Sequence, residues 1–232
     1  MNREWMSISD MMSGLMLIFL FIAISFMVEI ESEKQEMKDI VLEYRDTKVN
    51  LNEALFSEFE EDLERWNATL TSENNIVFNS AEVLFDVSES SIKPEFKVIL
   101  ENFFPRYIKI LTSKKYKNTI QEIRVEGHTS KSWKNSKSKE EIYLKNMKLS
   151  QKRAYKVLSY CYSLENNATI QQRNWLEKIF RVNGMAYSKM RDKVHTRRVE
   201  FVVQLKSEDS IYKILENNKR KFYDNDSSNL IE

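Results

Sequence analysis

The chain has 232 residues, with 36 Lys and Arg against 35 Asp and Glu, and 42% of it is hydrophobic. Charge so evenly balanced excludes a domain-wide basic surface, and with it direct nucleic-acid binding as the main role. A single cysteine, Cys161, excludes an internal disulfide, and its apolar neighbours suggest a small buried side chain.

The first element is an uncharged apolar run, MMSGLMLIFLFIAISFMV over residues 11–28, opened by Asp10. At about 1.5 Å per residue it covers most of a ~30 Å hydrocarbon core, and the weakly polar turn before Asp10 completes a crossing. The segment is too long and too rich in Phe and Met for a signal peptide, and no small-x-small cleavage site follows it. It is expected to stay as a transmembrane helix, residues 10–28. A carboxylate at its boundary costs roughly 2.5–3.5 kcal/mol unless it faces protein or a water path. Asp10 therefore reads either as an ion-pathway acid or as the last residue of a short cytoplasmic tail, favoured there by the helix dipole. On a helix it shares a face with Met6, Ser13, Gly14 and Leu17. Ser13 and Gly14 are the small residues that let membrane helices approach, whereas Met12, Leu15, Phe19 and Phe26 opposite suit lipid. Arg3 precedes the span and Glu29, Glu31 and Glu33 follow it. That puts residues 1–9 in the cytoplasm and the bulk outside.

Residues 29–73 are charged, lack Gly and Pro, and carry Leu51, Leu55, Phe59, Leu63 and Trp66 at spacings of three or four. This pattern predicts a stiff helical linker, with its stripe serving either a spacer or a dimer-forming or pore-covering helix. A compact α+β domain, an α/β sandwich, is expected over residues 74–206. Its elements are an opening strand and turn at 75–85, a helix at 95–111 with Pro94 at its start, and a strand at 119–126 ending at Gly127. A long helix at 140–164 and a β-branched strand at 197–205 complete it. In the tail, 207–232, a short helix at 212–222 gives way to an Asp/Ser/Asn-rich stretch expected to be disordered.

Three blocks stand in order in this domain: Glu126-Gly127-His128-Thr129, then Asn146 with Leu149-Ser150 and Arg153-Ala154, then Arg197-Arg198-Val199-Glu200. Together with Leu84-Phe85-Asp86 and Ile92-Lys93-Pro94 upstream, they resemble the OmpA-like peptidoglycan-binding domain over about 130 residues. The resemblance implies that Thr129, Ser130, Asn146, Leu149, Arg153 and Arg198 sit at the peptidoglycan site. In the family an acid and an arginine clamp the diaminopimelate of the wall peptide. Arg153 fills the second role, and a guanidinium fork suits a carboxylate. Ser130 stands where the family has aspartate, so the acid is missing. A longer basic loop, KSWKNSKSKEE over residues 131–141, follows it.

An apolar span led by an aspartate, a helical linker and an OmpA-like domain together resemble the MotB side of ion-driven stator units. Ser9-Asp10 with Met12 and Gly14-Leu15-Met16 is similar to the stator motif around that aspartate. The resemblance implies a dimer of this chain inside about five copies of a MotA-like membrane subunit. It also implies H⁺ or Na⁺ as the transported ion, and cytoplasmic effector proteins reached through the partner. The nine residues before Asp10 are similar to the B subunit of Zorya anti-phage systems rather than to flagellar proteins, which carry a longer basic tail. A flagellar stator and a purely structural wall anchor are the alternatives. Neither a cofactor nor a resident metal is expected. Catalysis is not expected either: His128 and His195 are the only histidines, and neither stands in a Cys/His/Asp ligand spacing or a Ser-His-acid arrangement.

Overall fold

The computed structural model describes residues 2–79, 81–86, 89–131, 133, 138–188, 197–212 and 216. Side chains are described from Met11 onward, except at positions 81 and 82. The chain divides into two compact units, one of Met1–Glu43 with Ser210–Glu232, the other Tyr44–Asp209. Helix α1, Asn2–Arg65, contributes to both.

In the first unit, α1 is long and apolar enough to cross a membrane, and none of its apolar window is buried within the chain. Exposure is all-round: Met11, Phe19, Ile24 and Val28 are all exposed, although they point in different directions around the helix. A Cβ added at Gly14 would meet nothing within 4 Å. Among the described residues, no contact uses the smallness of that position.

The second unit is built on a five-stranded sheet of order β1-β2-β5-β3-β4. The strands are β1 Ala68–Leu70, β2 Ile76–Phe78, β3 Ile120–Gly127, β4 Phe180–Gly184 and β5 Val199–Leu205. Only β3 and β4 run parallel; the other neighbours are antiparallel. The helices are α2 Ala81–Leu84, α3 Pro94–Leu111, α4 Lys139–Ser163, α5 Asn167–Gln171 and α6 Arg173–Ile179. Pro94 stands at the first turn of α3, where a missing N–H costs nothing. The hydroxyl of Ser138 caps α4 by accepting from the Glu141 backbone N–H at 3.1 Å, with Glu140 and Glu141 favouring the positive end of the dipole. The core is aromatic: Phe201 on β5 lies 5.0 Å from Phe103 on α3 and 6.0 Å from Phe78 on β2, both edge-on.

The stripe at Leu51, Leu55 and Phe59 is fully buried, and Leu63 and Trp66 nearly so. Phe59 packs 5.2 Å from Phe103, and Arg106 of α3 stacks on it from outside at 4.8 Å. The stripe, expected to serve a spacer or a dimer-forming or pore-covering helix, is instead covered within the chain. The stripe is part of the domain's own core, and the helix stops at Arg65, before a turn at Trp66 and Asn67 and then β1. Helical period shows that a face is covered, not by what. The expected strand at 75–85 is shorter, β2 followed by α2, while β1, β4, α5 and α6 are additions to the expected elements. Of the expected helix at 212–222, only Tyr212 and residue 216 are described.

Candidate functional site

The three sequence blocks meet where β3 and β4 end against α4. Gly127 and Gly184 are paired across these parallel strands. A Cβ on Gly127 would lie 2.3 Å from the Ser150 carbonyl oxygen, and one on Gly184 would lie 2.8 Å from the Gln151 nitrogen. Glycine at both positions lets α4 come down on the strand ends. Ser150, buried at that contact, accepts from the Ala186 backbone N–H at 3.0 Å, and the Ala186 carbonyl accepts from Thr129 N–H at 2.7 Å. Ala186 itself adopts φ 46°, a left-handed conformation unusual for a residue with a Cβ. The turn after β4 is thus stitched to both α4 and the end of β3.

Arg153, one turn further along α4, is nearly buried. Its Nε donates to the Glu89 carbonyl at 2.7 Å and one Nη to the Asp86 carbonyl at 3.0 Å, and its guanidinium stacks 4.8 Å above the Phe85 ring. Burial, with the Arg197 charge adding to it, lowers its pKa to about 10, so it stays cationic at neutral pH. Arg153 therefore fastens the loop between Phe85 and Ile92, whose ends are joined by a β-bridge and by an Asp86–Lys93 ion pair at 3.2 Å. That loop forms one wall of a pocket of about 400 Å³. Glu89, Ser90 and Ser91 line this side, with Trp133, Lys145, Lys148, Leu149 and Lys152 making up the rest. Leu149 is thus the one residue of the expected peptidoglycan set that lines the pocket. Asn146 is buried and donates back to the Ile142 carbonyl at 2.9 Å, and Thr129 is buried under the β4 turn. Ser130 is half-buried beside it.

Arg198 belongs to a different cluster. Glu126 and Glu200 stand directly opposite across β3 and β5, and His128 and Arg198 follow at period-two spacing on the same face. All four are buried. Opposed carboxylates repel unless cations intervene. Arg198 donates to Glu200 at 2.5 Å, and Arg124 lies 3.5 Å from Glu126. His128 Nε2 sits between the two carboxylates, 3.6 Å from Glu126 and 3.5 Å from Glu200. Ligand atoms of Glu126, His128 and Glu200 come within 4.8 Å of one another, a spacing that could hold a metal ion. The two arginines already supply the positive charge such an ion would bring, and the cluster ties the ends of β3 and β5 together. No metal grouping was expected from the sequence. The alternation Arg124-Glu126-His128 against Arg198-Glu200 was its only signal, and it needed the strand register to be read. Asp10 and Gly14 lie in the first unit; the Asp10 side chain, His195 and positions 132 and 134–137 of the basic loop fall outside what is described.

Comparison with known proteins adds three findings. The OmpA family matches residues 84–197. The Zorya protein ZorB of Escherichia coli (strain Crooks) is 37% identical over 223 residues, covering 93% of each chain. Among solved structures, the cell wall anchor of the type VI secretion system from Pseudomonas aeruginosa aligns at 17% identity and TM-score 0.46, covering 66% of this chain and 97% of that one. The periplasmic domain of Helicobacter pylori MotB aligns at 17% identity and TM-score 0.40, covering 65% and 97%.

Proposed function

The chain belongs to the family of the Zorya protein ZorB and carries an OmpA-family domain, and from that premise we propose that it is the B-type subunit of an ion-driven rotary stator in anti-phage defence. The observation that carries this reading is the match to ZorB along 93% of both chains, which is far more than a shared wall-binding domain would give. In this reading residues 10–28 cross the bacterial inner membrane once, with the N-terminus inside and the OmpA-family domain outside on peptidoglycan. Two copies stand within a ring of MotA-like subunits, about five in number, that passes motion to cytoplasmic effectors.

The physical chemistry of such a device rests on Asp10. An ionised carboxylate in a low-dielectric ring is costly, and binding H⁺ or Na⁺ removes its charge. Alternation between the two states changes which partner surface it prefers, so an ion gradient biases a two-state element. One elementary charge crossing ~100 mV supplies roughly 2.3 kcal/mol, so work accumulates over several ions. Torque also needs a fixed point, and the OmpA-family domain is the part suited to hold one. The exposed surroundings of Gly14 support the arrangement, because its small size is of use only to a neighbouring helix.

The test is Asp10→Asn in cells carrying the complete defence system. The amide keeps the shape and cannot cycle its charge. Phage protection should vanish while the membrane complex still assembles and purifies at wild-type yield. Full protection by the variant would reduce the span to a tether and leave a structural wall anchor as the function.

A further inference from the structure

The pocket between α4 and the 85–92 loop is cationic in a way the wall-anchor role does not by itself require. Lys145, Lys148 and Lys152 follow one another at three and four residues along one face of α4. Lys145 is paired with Glu141 at 2.6 Å and lies 5.9 Å from the Trp133 ring centre. Lys148 and Lys152 are exposed, and neither has an ion pair among the described residues. Like charges at this spacing repel each other on a helix surface. Across from them stand the hydroxyl-bearing Ser90 and Ser91 and the flat Trp133 ring.

We infer that this pocket binds carboxylates of the wall peptide through Lys148 and Lys152, with Trp133 packing on the aliphatic or sugar portion between them. The inference rests on the reading of the chain as a peptidoglycan-anchored subunit and names the chemistry of that contact. Each ammonium is a compact donor that a carboxylate satisfies. Four residues of helix place the two stems about 6 Å apart along the axis, which suits carboxylates on adjacent parts of one stem peptide. A volume of about 400 Å³ accepts a fragment of that size. The guanidinium of Arg153 is turned to backbone carbonyls of the loop, so Arg153 positions the pocket wall and the lysines face the ligand. Three ammonium groups outnumber the single Glu89 carboxylate in the lining. The ligand's anionic groups should therefore matter more than its amines.

The experiment is co-sedimentation of the detergent-solubilised full chain with purified sacculi in three forms: untreated, with carboxylates converted to amides, and with amines acetylated. Wild-type chain should pellet with untreated and acetylated sacculi and lose about tenfold or more of its affinity for the amidated form, the scale of one charge-assisted contact. The Lys148→Glu/Lys152→Glu double variant should lose as much on untreated sacculi. Both changes are on exposed side chains, so its thermal unfolding should match wild type, and sedimentation is compared only at temperatures where both are folded. Equal pelleting of the double variant and wild type, or retention that survives amidation, overturns the lysine assignment and leaves the anchor reading standing. Failure of the wild-type chain to pellet with untreated sacculi overturns the anchor reading itself.

Discussion

Helix α1 carries two apolar surfaces of opposite fate, one on an uncharged run at residues 11–28 and one on a charged stretch at residues 51–65. Around Phe19 the apolar residues cover every direction and all are exposed, whereas around Phe59 they form a stripe one residue wide and are sealed under α3. The polar edge of the second stretch is occupied as well: Arg106 bonds Glu58 at 2.6 Å and Asp62 at 2.6 Å beside the Phe59 ring. The difference teaches that a surface meant for lipid and foreign helices is apolar in every direction, whereas one meant for the chain's own core is a single apolar face on an otherwise charged helix. The two glycines repeat the contrast. Gly14 has open space where a Cβ would go, and Gly127 has a carbonyl oxygen at 2.3 Å.

The largest effect expected from this contrast is on folding. Phe59→Ala removes a fully buried ring and should cost about 3–5 kcal/mol in urea unfolding of the domain, whereas Phe19→Ala should leave that transition in place. Equal responses would erase the distinction. Gly127→Ala comes next, at about 1–3 kcal/mol, because strand and helix must part to admit the methyl group. Gly14→Ala should leave unfolding unchanged and lower the yield of the assembled membrane complex. An unchanged yield would mean that no helix approaches there.

Crosslinking sharpens the comparison further. A cysteine at Leu17, on the face shared by Ser13 and Gly14, should form a disulfide with its copy in membranes that contain the partner ring. One at Leu55 should not, since that position is fully buried. Cys161 should give no background: burial pushes its thiol well above the usual range, so it stays protonated at neutral pH and out of reach of the oxidant. A strong Leu55 crosslink would show that the stripe leaves its own core to meet a second chain.

Much of the domain was legible in the residues. Pro94 at the start of α3, the alternation of β3 and the apolar period of α4 each place an element nearly where it lies, because local preference and burial agree there. Short pieces escaped. Ala68–Leu70 is too brief to alternate visibly, and Phe180–Gly184 is an edge strand with Arg181 and Asn183 and only Phe180 buried, so neither announces itself as a strand. At the site, the motif residues were visible and their roles were not. Leu149 reaches the pocket, but Arg153 turns its fork to loop carbonyls, a partnership set by the backbone path from Phe85 to Ile92. The facing of Glu126 and Glu200 likewise depends on strand register, which sequence spacing alone leaves open.

The smallest expected effect probes the wall that covers the Phe59 stripe. Tyr107 of α3 stacks 4.9 Å from Phe103 and is fully buried, and its hydroxyl has no hydrogen-bond partner among the described residues. Burial raises its phenol far above the ordinary tyrosine value, so the hydroxyl remains neutral at neutral and mildly alkaline pH. A desolvated hydroxyl without a partner costs stability, and removing it while keeping the ring is favourable or neutral. Tyr107→Phe should therefore raise the unfolding free energy by about 1 kcal/mol or leave it unchanged, with no pH dependence between pH 6 and about pH 9. A loss of more than about 1 kcal/mol would mean that the hydroxyl holds a partner, and that the wall behind the stripe is organised by a polar contact as well as by packed rings.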